Sequence, residues 1–205
     1  MCGRYGLNKT NKLKARYGLD ADIEDYEGSY NIAPSQKAVV ISEEDPKKAQ
    51  LLAFGIGAPW DDKHLLINAQ SETVDEKRTF KKLFEERRCL IPADFFFEWK
   101  RTQEGKQPYA FSLKNDETFS FAGIHNDEGF VILTGTAGDV MKEIHDREPI
   151  ILRQEDEASW LDPDMDIDRL KEYITPRSSE NLKRWKVSPL INSPKNNDKQ
   201  LINEV

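Results

Sequence analysis

Apolar residues in this chain arrive in short runs, each closed off by polar or turn-forming residues. Lys37 to Ile41 and Leu51 to Ile56 read as strands on either side of a polar turn at Ser42 to Lys48. Leu65 to Asn68 is a further short apolar run. Cys89-Leu90-Ile91 and Phe95 to Trp99 read as strands around a turn at Pro92. Tyr109 to Leu113, Phe119 to Ile124 and Phe130 to Thr134 read as an antiparallel meander. Helical periodicity is brief. It covers Lys12 to Tyr17, capped by Thr10 or Asn11 and stopped by Gly18, and Phe80 to Arg88, with Thr79 as its cap. Further helices are expected at Val140 to His145, Glu155 to Leu161 and Asp168 to Ile174, a strand at Pro149 to Leu152, and a late strand at Trp185 to Ile191. Many short strands with helices between them predict an α+β protein built on a mostly antiparallel twisted or barrel-like sheet, flanked by short helices. With no repeat, linker or composition break, residues 1–205 read as a single domain ending in a polar tail from about residue 194.

Composition narrows the class. The net charge of −7 argues against a protein that coats nucleic acid along its length, but a local basic groove is compatible with it. No apolar run approaches the roughly 20 residues that span a bilayer, and the N-terminus has no signal-like stretch. Two cysteines, Cys2 and Cys89, cannot make a disulfide framework. A cytoplasmic protein with reduced thiols and no membrane association is expected, and a monomer, since no coiled-coil pattern is present. No cysteine pair or histidine spacing supports zinc, and no glycine-rich phosphate loop or dinucleotide fingerprint occurs, so no metal or cofactor is expected.

The chemically distinctive residue is Cys2. Loss of Met1 would leave a terminal amine and a thiol on one residue. Such an amine titrates near about 7.7–8.0, so part of it is neutral at physiological pH. An aldehyde can form a Schiff base with this amine, and the sulfur can then close on the imine carbon to give a thiazolidine. Taken alone, a cysteine at position 2 is more often an accident of sequence.

Further segments change that reading. The chain carries Met1-Cys2-Gly3-Arg4-Tyr5, Tyr30-Asn31-Ile32-Ala33-Pro34 and Ile67-Asn68-Ala69-Gln70-Ser71-Glu72-Thr73. It also carries Arg87-Arg88-Cys89-Leu90-Ile91-Pro92-Ala93-Asp94 running on to Glu98-Trp99, then Ile144-His145-Asp146-Arg147, Val187-Ser188-Pro189 and Asn192-Ser193-Pro194. In these blocks, in this order, the sequence resembles the abasic-site processing proteins, also called SOS-response-associated peptidases or SRAP domains. The resemblance implies a DNA-repair protein that binds single-stranded DNA and traps abasic sites as a thiazolidine crosslink to Cys2. It also implies autoproteolytic removal of Met1, with cysteine peptidase or lyase-like chemistry. Carried over by position, Asn68 holds the N-terminus and the opened sugar, Glu98 transfers protons, and His145 is a second acid or base. Arg4 and Arg147 contact phosphates and Trp99 stacks on a base. Where the family often has arginine and tryptophan, this chain has Gln70 and Phe54, which removes one expected phosphate contact and one aromatic surface.

The residue types suit that chemistry on their own terms. Opening a hemiacetal and forming an imine both move protons, and a carboxylate and an imidazole are groups whose pKa can be tuned near neutrality. Glu98 follows three phenylalanines, a setting that raises a carboxyl pKa. Standing alone, Glu98 reads as the end of a strand and His145 as a helix C-terminal residue beside the dipole. Likewise Asn68 reads as a strand end, and Arg4 and Arg147 as solvated charges. Lys77, Arg78, Lys81 and Lys82 read as a solvated helix face, and Cys89 as a buried inert thiol. Two other readings compete: an N-terminal-nucleophile cysteine hydrolase acting on an amide, and a single-strand-binding module in which Cys2 plays no part.

Overall fold

The computed structural model describes residues 2–23, 26–175 and 181–205. In chain order the elements are β1 (Tyr5–Leu7), α1 (Leu13–Tyr17), β2 (Ser29–Ile32), β3 (Lys37–Ser42), β4 (Ala49–Phe54), β5 (Ile56–Ala58), β6 (Asp61–Leu66) and β7 (Asn68–Gln70). Then follow α2 (Lys81–Glu86), β8 (Arg88–Ala93), β9 (Phe95–Thr102), β10 (Gly105–Leu113), β11 (Phe119–His125) and β12 (Gly129–Thr136). The chain continues through β13 (Arg147–Pro149), β14 (Ile151–Leu152), α3 (Glu157–Leu161), α4 (Ile167–Tyr173) and β15 (Leu182–Lys186). The α+β class is as expected, with strands dominating and every helix short. Among the described residues no helix is long and apolar enough to cross a membrane.

Two sheets organise the molecule. Strands β12, β4, β3, β8 and β11 close into a ring, because β11 pairs back onto β12. All ring pairings are antiparallel except the parallel contact of β12 with β4. The second sheet runs β15-β10-β9-β1-β2 and is antiparallel throughout. The core fills the ring and the space between the sheets. Phe54 stacks on Phe130, and Phe96 stacks on Phe111 and meets Phe121 edge-on. Burying rings of this size is the largest single source of apolar stabilisation available to such a chain.

Several local expectations are corrected. Pro92 lies within β8 rather than at a turn. It is tolerated because β8 pairs there with β11 alone, its contact with β3 ending at Leu90, so no ladder bond needs the missing N–H. The expected meander is two hairpins in different sheets, since β10 pairs with β9 and β15 while β11 pairs with β8 and β12. Val140 to His145 forms successive turns, not a helix. Its bonds mix three- and four-residue spans, and Arg184 takes the Val140 carbonyl that a helix would use. Neither α1 nor α2 has a side-chain cap, so Thr10, Asn11 and Thr79 do not play that role; Gly18 does stop α1, in the left-handed conformation. The late strand ends at Lys186, after which Ser188 caps a 3-10 turn over Pro189–Asn192. The polar tail is docked: Leu201 is fully buried in a 3-10 turn, and Val187 bridges to Glu204.

Candidate active site around Cys2

The N-terminal segment is fixed along β9. Tyr5 and Gly6 pair with Phe96 and Phe95, and the Phe97 N–H donates to the Arg4 carbonyl at 2.9 Å. Glu98 follows Phe97 on β9, and its charge bears directly on the Cys2 thiol. Cys2 is fully buried, with Sγ 4.0 Å from its acceptor, the Arg4 carbonyl. Burial, reinforced by Glu98, pushes the thiol pKa well above its usual value, so the sulfur is held as a thiol at neutral pH. Met1 lies outside the described residues.

Asn68 comes from a different sheet. It opens β7, which pairs in parallel with β12 at Ile132. Its Nδ2 donates to the Cys2 carbonyl at 3.1 Å and to the Ile132 carbonyl at 3.4 Å. Its Oδ1 is buried with no hydrogen-bond partner among the described residues. Unsatisfied buried acceptors are rare, because each costs about 1–3 kcal/mol.

Glu98 is 3% exposed, and Oε2 accepts the Trp99 N–H at 3.4 Å. Burial raises its pKa from 4.5 to about 7, so near neutrality it exists as both acid and carboxylate. His145 sits where the turns meet β13. Its Nδ1 accepts the Arg147 N–H at 3.0 Å. Burial lowers its pKa despite Asp146, whose Oδ1 lies 2.9 Å from Nδ1. Glu98, His145, Arg4 and Trp99 line one cleft of about 540 Å³.

The three residues expected to touch DNA are all tied into the fold. The Arg4 Nη1 donates to Asn31 Oδ1 at 2.7 Å and to the Ile191 carbonyl at 2.8 Å. Trp99 donates its indole N–H to Asn192 Oδ1 at 2.7 Å. Arg147 grips Glu72 with two parallel bonds of 2.6 and 2.7 Å and also donates to the Thr134 carbonyl. This pairing holds the Glu72 carboxyl down to about 2. Sequence reasoning gives Asn31 and Asn192 no role; their only signal is membership of the blocks shared with the family. Asn31 also donates to the Ser193 and Asn196 carbonyls, at 3.0 and 2.7 Å, tying the C-terminal segment to β2.

The two departures differ in kind. Gln70 is exposed at the end of β7, whereas the Phe54 ring is wholly interior. Position 54 is therefore a packing site in this chain, not a missing surface. Lys81 and Lys82 pair along α2 with Glu85 and Glu86 at 4.0 and 3.8 Å, as a solvated helix face does. Cys89 is buried and its thiol pKa raised by that burial. Among the described residues no group of three or more His, Cys, Asp or Glu could hold a metal ion. A larger cavity of about 850 Å³, between Phe95, Trp185 and the C-terminal turn, contains none of the expected site residues.

Comparison with known proteins decides the family. The family model for "SOS response associated peptidase (SRAP)" matches residues 1–194. The chain belongs to the SRAP family. Among SRAP relatives, the abasic site processing protein YoqW of Bacillus subtilis is 37% identical over 221 aligned positions, covering 98% of this chain and 99% of that protein. The abasic site processing protein YedK of Escherichia coli is 34% identical, over 78% of this chain and 79% of that protein. A crystal structure of a Bacteroides thetaiotaomicron protein shares the SRAP fold, with a TM-score of 0.87 at 23% identity over all of both chains.

Proposed function

We propose that this protein binds single-stranded DNA and captures abasic sites covalently through Cys2, once Met1 has been removed. What carries this reading is the convergence on Cys2 of Asn68 from β7 and Glu98 from β9, with His145 lining the same cleft as Glu98. The opened abasic sugar presents an aldehyde. The Cys2 amine adds to it and water leaves, giving an imine. The sulfur then bonds to the imine carbon while the thiol proton passes to the nitrogen, which closes the thiazolidine. Glu98 as an acid protonates the departing hydroxyl, and as a carboxylate it accepts the thiol proton; a pKa of about 7 supports both roles at one pH. His145, neutral, relays protons and promotes reversal. Asn68 fixes Cys2 through its carbonyl and offers Oδ1 to a sugar hydroxyl. Arg4 and Arg147 meet phosphates with the donors their protein partners leave over, and Trp99 stacks on a base.

The hydrolase reading is weaker, because a fully buried thiol held protonated is a poor attacking group for an unactivated amide, whereas an imine carbon is electrophilic enough to take the sulfur as Glu98 removes its proton. Removal of Met1 is the one peptide cleavage the site is suited to, since that bond adjoins the same residues. We further read residues 1–205 as one domain, active as a monomer in the cytoplasm, where Cys2 stays reduced.

The test is a denaturing gel of Met1-free protein with a single-stranded oligonucleotide bearing one abasic site. A heat-stable shifted band that requires both the abasic site and Cys2, and is lost in Cys2→Ala, is the expected result. Absence of that band from protein with a confirmed free Cys2 terminus would remove the reading.

A further inference from the structure

The β9–β10 hairpin carries a charge arrangement that its own stability does not explain. Arg101 and Lys106 stand directly opposite each other in the antiparallel ladder. Like charges at opposed positions repel and weaken a strand pair. Lys9, Lys142, Lys171, Lys183 and Arg184, by contrast, all have carboxylate partners. Arg101 and Lys106 have none among the described residues. Both line the cleft that holds Glu98 and His145, and the Arg101 charge reaches the His145 ring. The cleft lining thus sets Arg4, Arg101 and Lys106 against a single carboxylate, in a chain whose net charge is −7. A concentration of cations around a concave site in an otherwise acidic protein focuses its field on an anion.

We infer that Arg101 and Lys106 form a two-cation clamp for a backbone phosphate of the DNA strand lying across the cleft. Directly opposed residues have Cβ atoms about 5 Å apart, so both long side chains can reach one phosphodiester group. The phosphate then relieves the repulsion that the free hairpin tolerates. This inference rests on the DNA reading above and adds to it a positioning element outside the residues assigned to the chemistry.

Binding of a lesion-free single-stranded oligonucleotide, followed by fluorescence anisotropy across a salt series, tests the clamp separately from crosslinking. The Arg101→Gln/Lys106→Gln double variant should bind roughly tenfold more weakly at low salt, and its log–log salt slope should fall in magnitude by about 0.7 for each phosphate it no longer neutralises. Lys106→Glu should weaken binding further while raising the melting temperature by about 1–3 °C, because the ladder pair becomes attractive. A role confined to holding the hairpin together would move both readouts the same way. Lys82→Gln, on α2, should keep the wild-type slope. Unchanged affinity and slope in the double variant, or an equal loss in Lys82→Gln, would overturn the clamp. Wild type that shows the expected slopes yet forms no abasic-site crosslink would uphold the clamp and sink the Cys2 chemistry. Wild type that binds no strand would remove both.

Discussion

At the scale of single residues, Glu98 concentrates the tension between stability and chemistry. Its carboxyl keeps a proton up to about 7 in the folded protein, whereas in the unfolded chain it loses that proton near the usual 4.5. Between those values the folded state binds more protons than the unfolded state, so the Glu98 contribution to stability falls as pH rises through that window and stays low above it. Glu98→Gln removes the penalty. The variant should match wild type in denaturant unfolding near pH 4 and exceed it at pH 8 by on the order of 2–3 kcal/mol. Its crosslinking rate should drop and lose its inflection near pH 7. Equal stability of the two proteins at pH 8 would mean that the carboxyl is not desolvated as the burial implies. The two cysteines are instructive beside it. Both are buried with raised thiol pKa values, but Cys2 alone lies beside Glu98 and takes the Asn68 hydrogen bond at its carbonyl.

At the scale of elements, the short helices depend on tertiary partners to finish their ends. A helix of six residues, such as α2, has too few internal bonds to be stable alone. Arg88, fully buried in β8, satisfies the open carbonyls. It donates to Phe84 and Glu85 of α2, to Trp160 of α3, and to Asp162 just beyond it. One guanidinium thereby pins two helices to the ring sheet, an arrangement suited to the five-donor fork of arginine. Arg88→Met keeps much of the volume and leaves these acceptors unpaired. It should cost about 3 kcal/mol or more in urea unfolding, while a cation-retaining Arg88→Lys should recover part of that loss. A Met variant as stable as wild type would show that water reaches these carbonyls.

For the whole molecule, the ring is closed at its tightest point by Gly129. A Cβ there would lie 2.2 Å from the Gly55 carbonyl oxygen and 2.6 Å from that of Ala53, backbone atoms that cannot swing aside. This is the parallel contact of β12 with β4, and β12 is also the strand that positions Asn68 through β7. Gly129→Ala should therefore destabilise the fold by about 3 kcal/mol. It should also slow crosslinking in whatever fraction remains folded, measured by thermal unfolding alongside the gel assay. Normal stability with full activity would mean that the ring can widen at this seam at no cost.

The short apolar runs limited the chain to many strands and brief helices, because a run of that length can complete a strand but not a stable helix. The ordered sequence blocks likewise fixed the family, and with it the expectation that Cys2, Asn68, Glu98 and His145 belong together. Periodicity could not tell which strands share a sheet: β10 and β11 follow one another yet lie in different sheets, and this pairing is settled by ring packing around Phe96 and Phe121. Nor could it foresee that Val140 to His145 turns instead of coiling, since Arg184 from a distant strand takes the deciding carbonyl. Sequence named the candidate chemical groups, because they are properties of side chains. The raised carboxyl of Glu98 is foreshadowed by its three preceding phenylalanines, but the interior place of Phe54 and the opposed cations of the hairpin arise from what surrounds each side chain, and only the tertiary structure decides that.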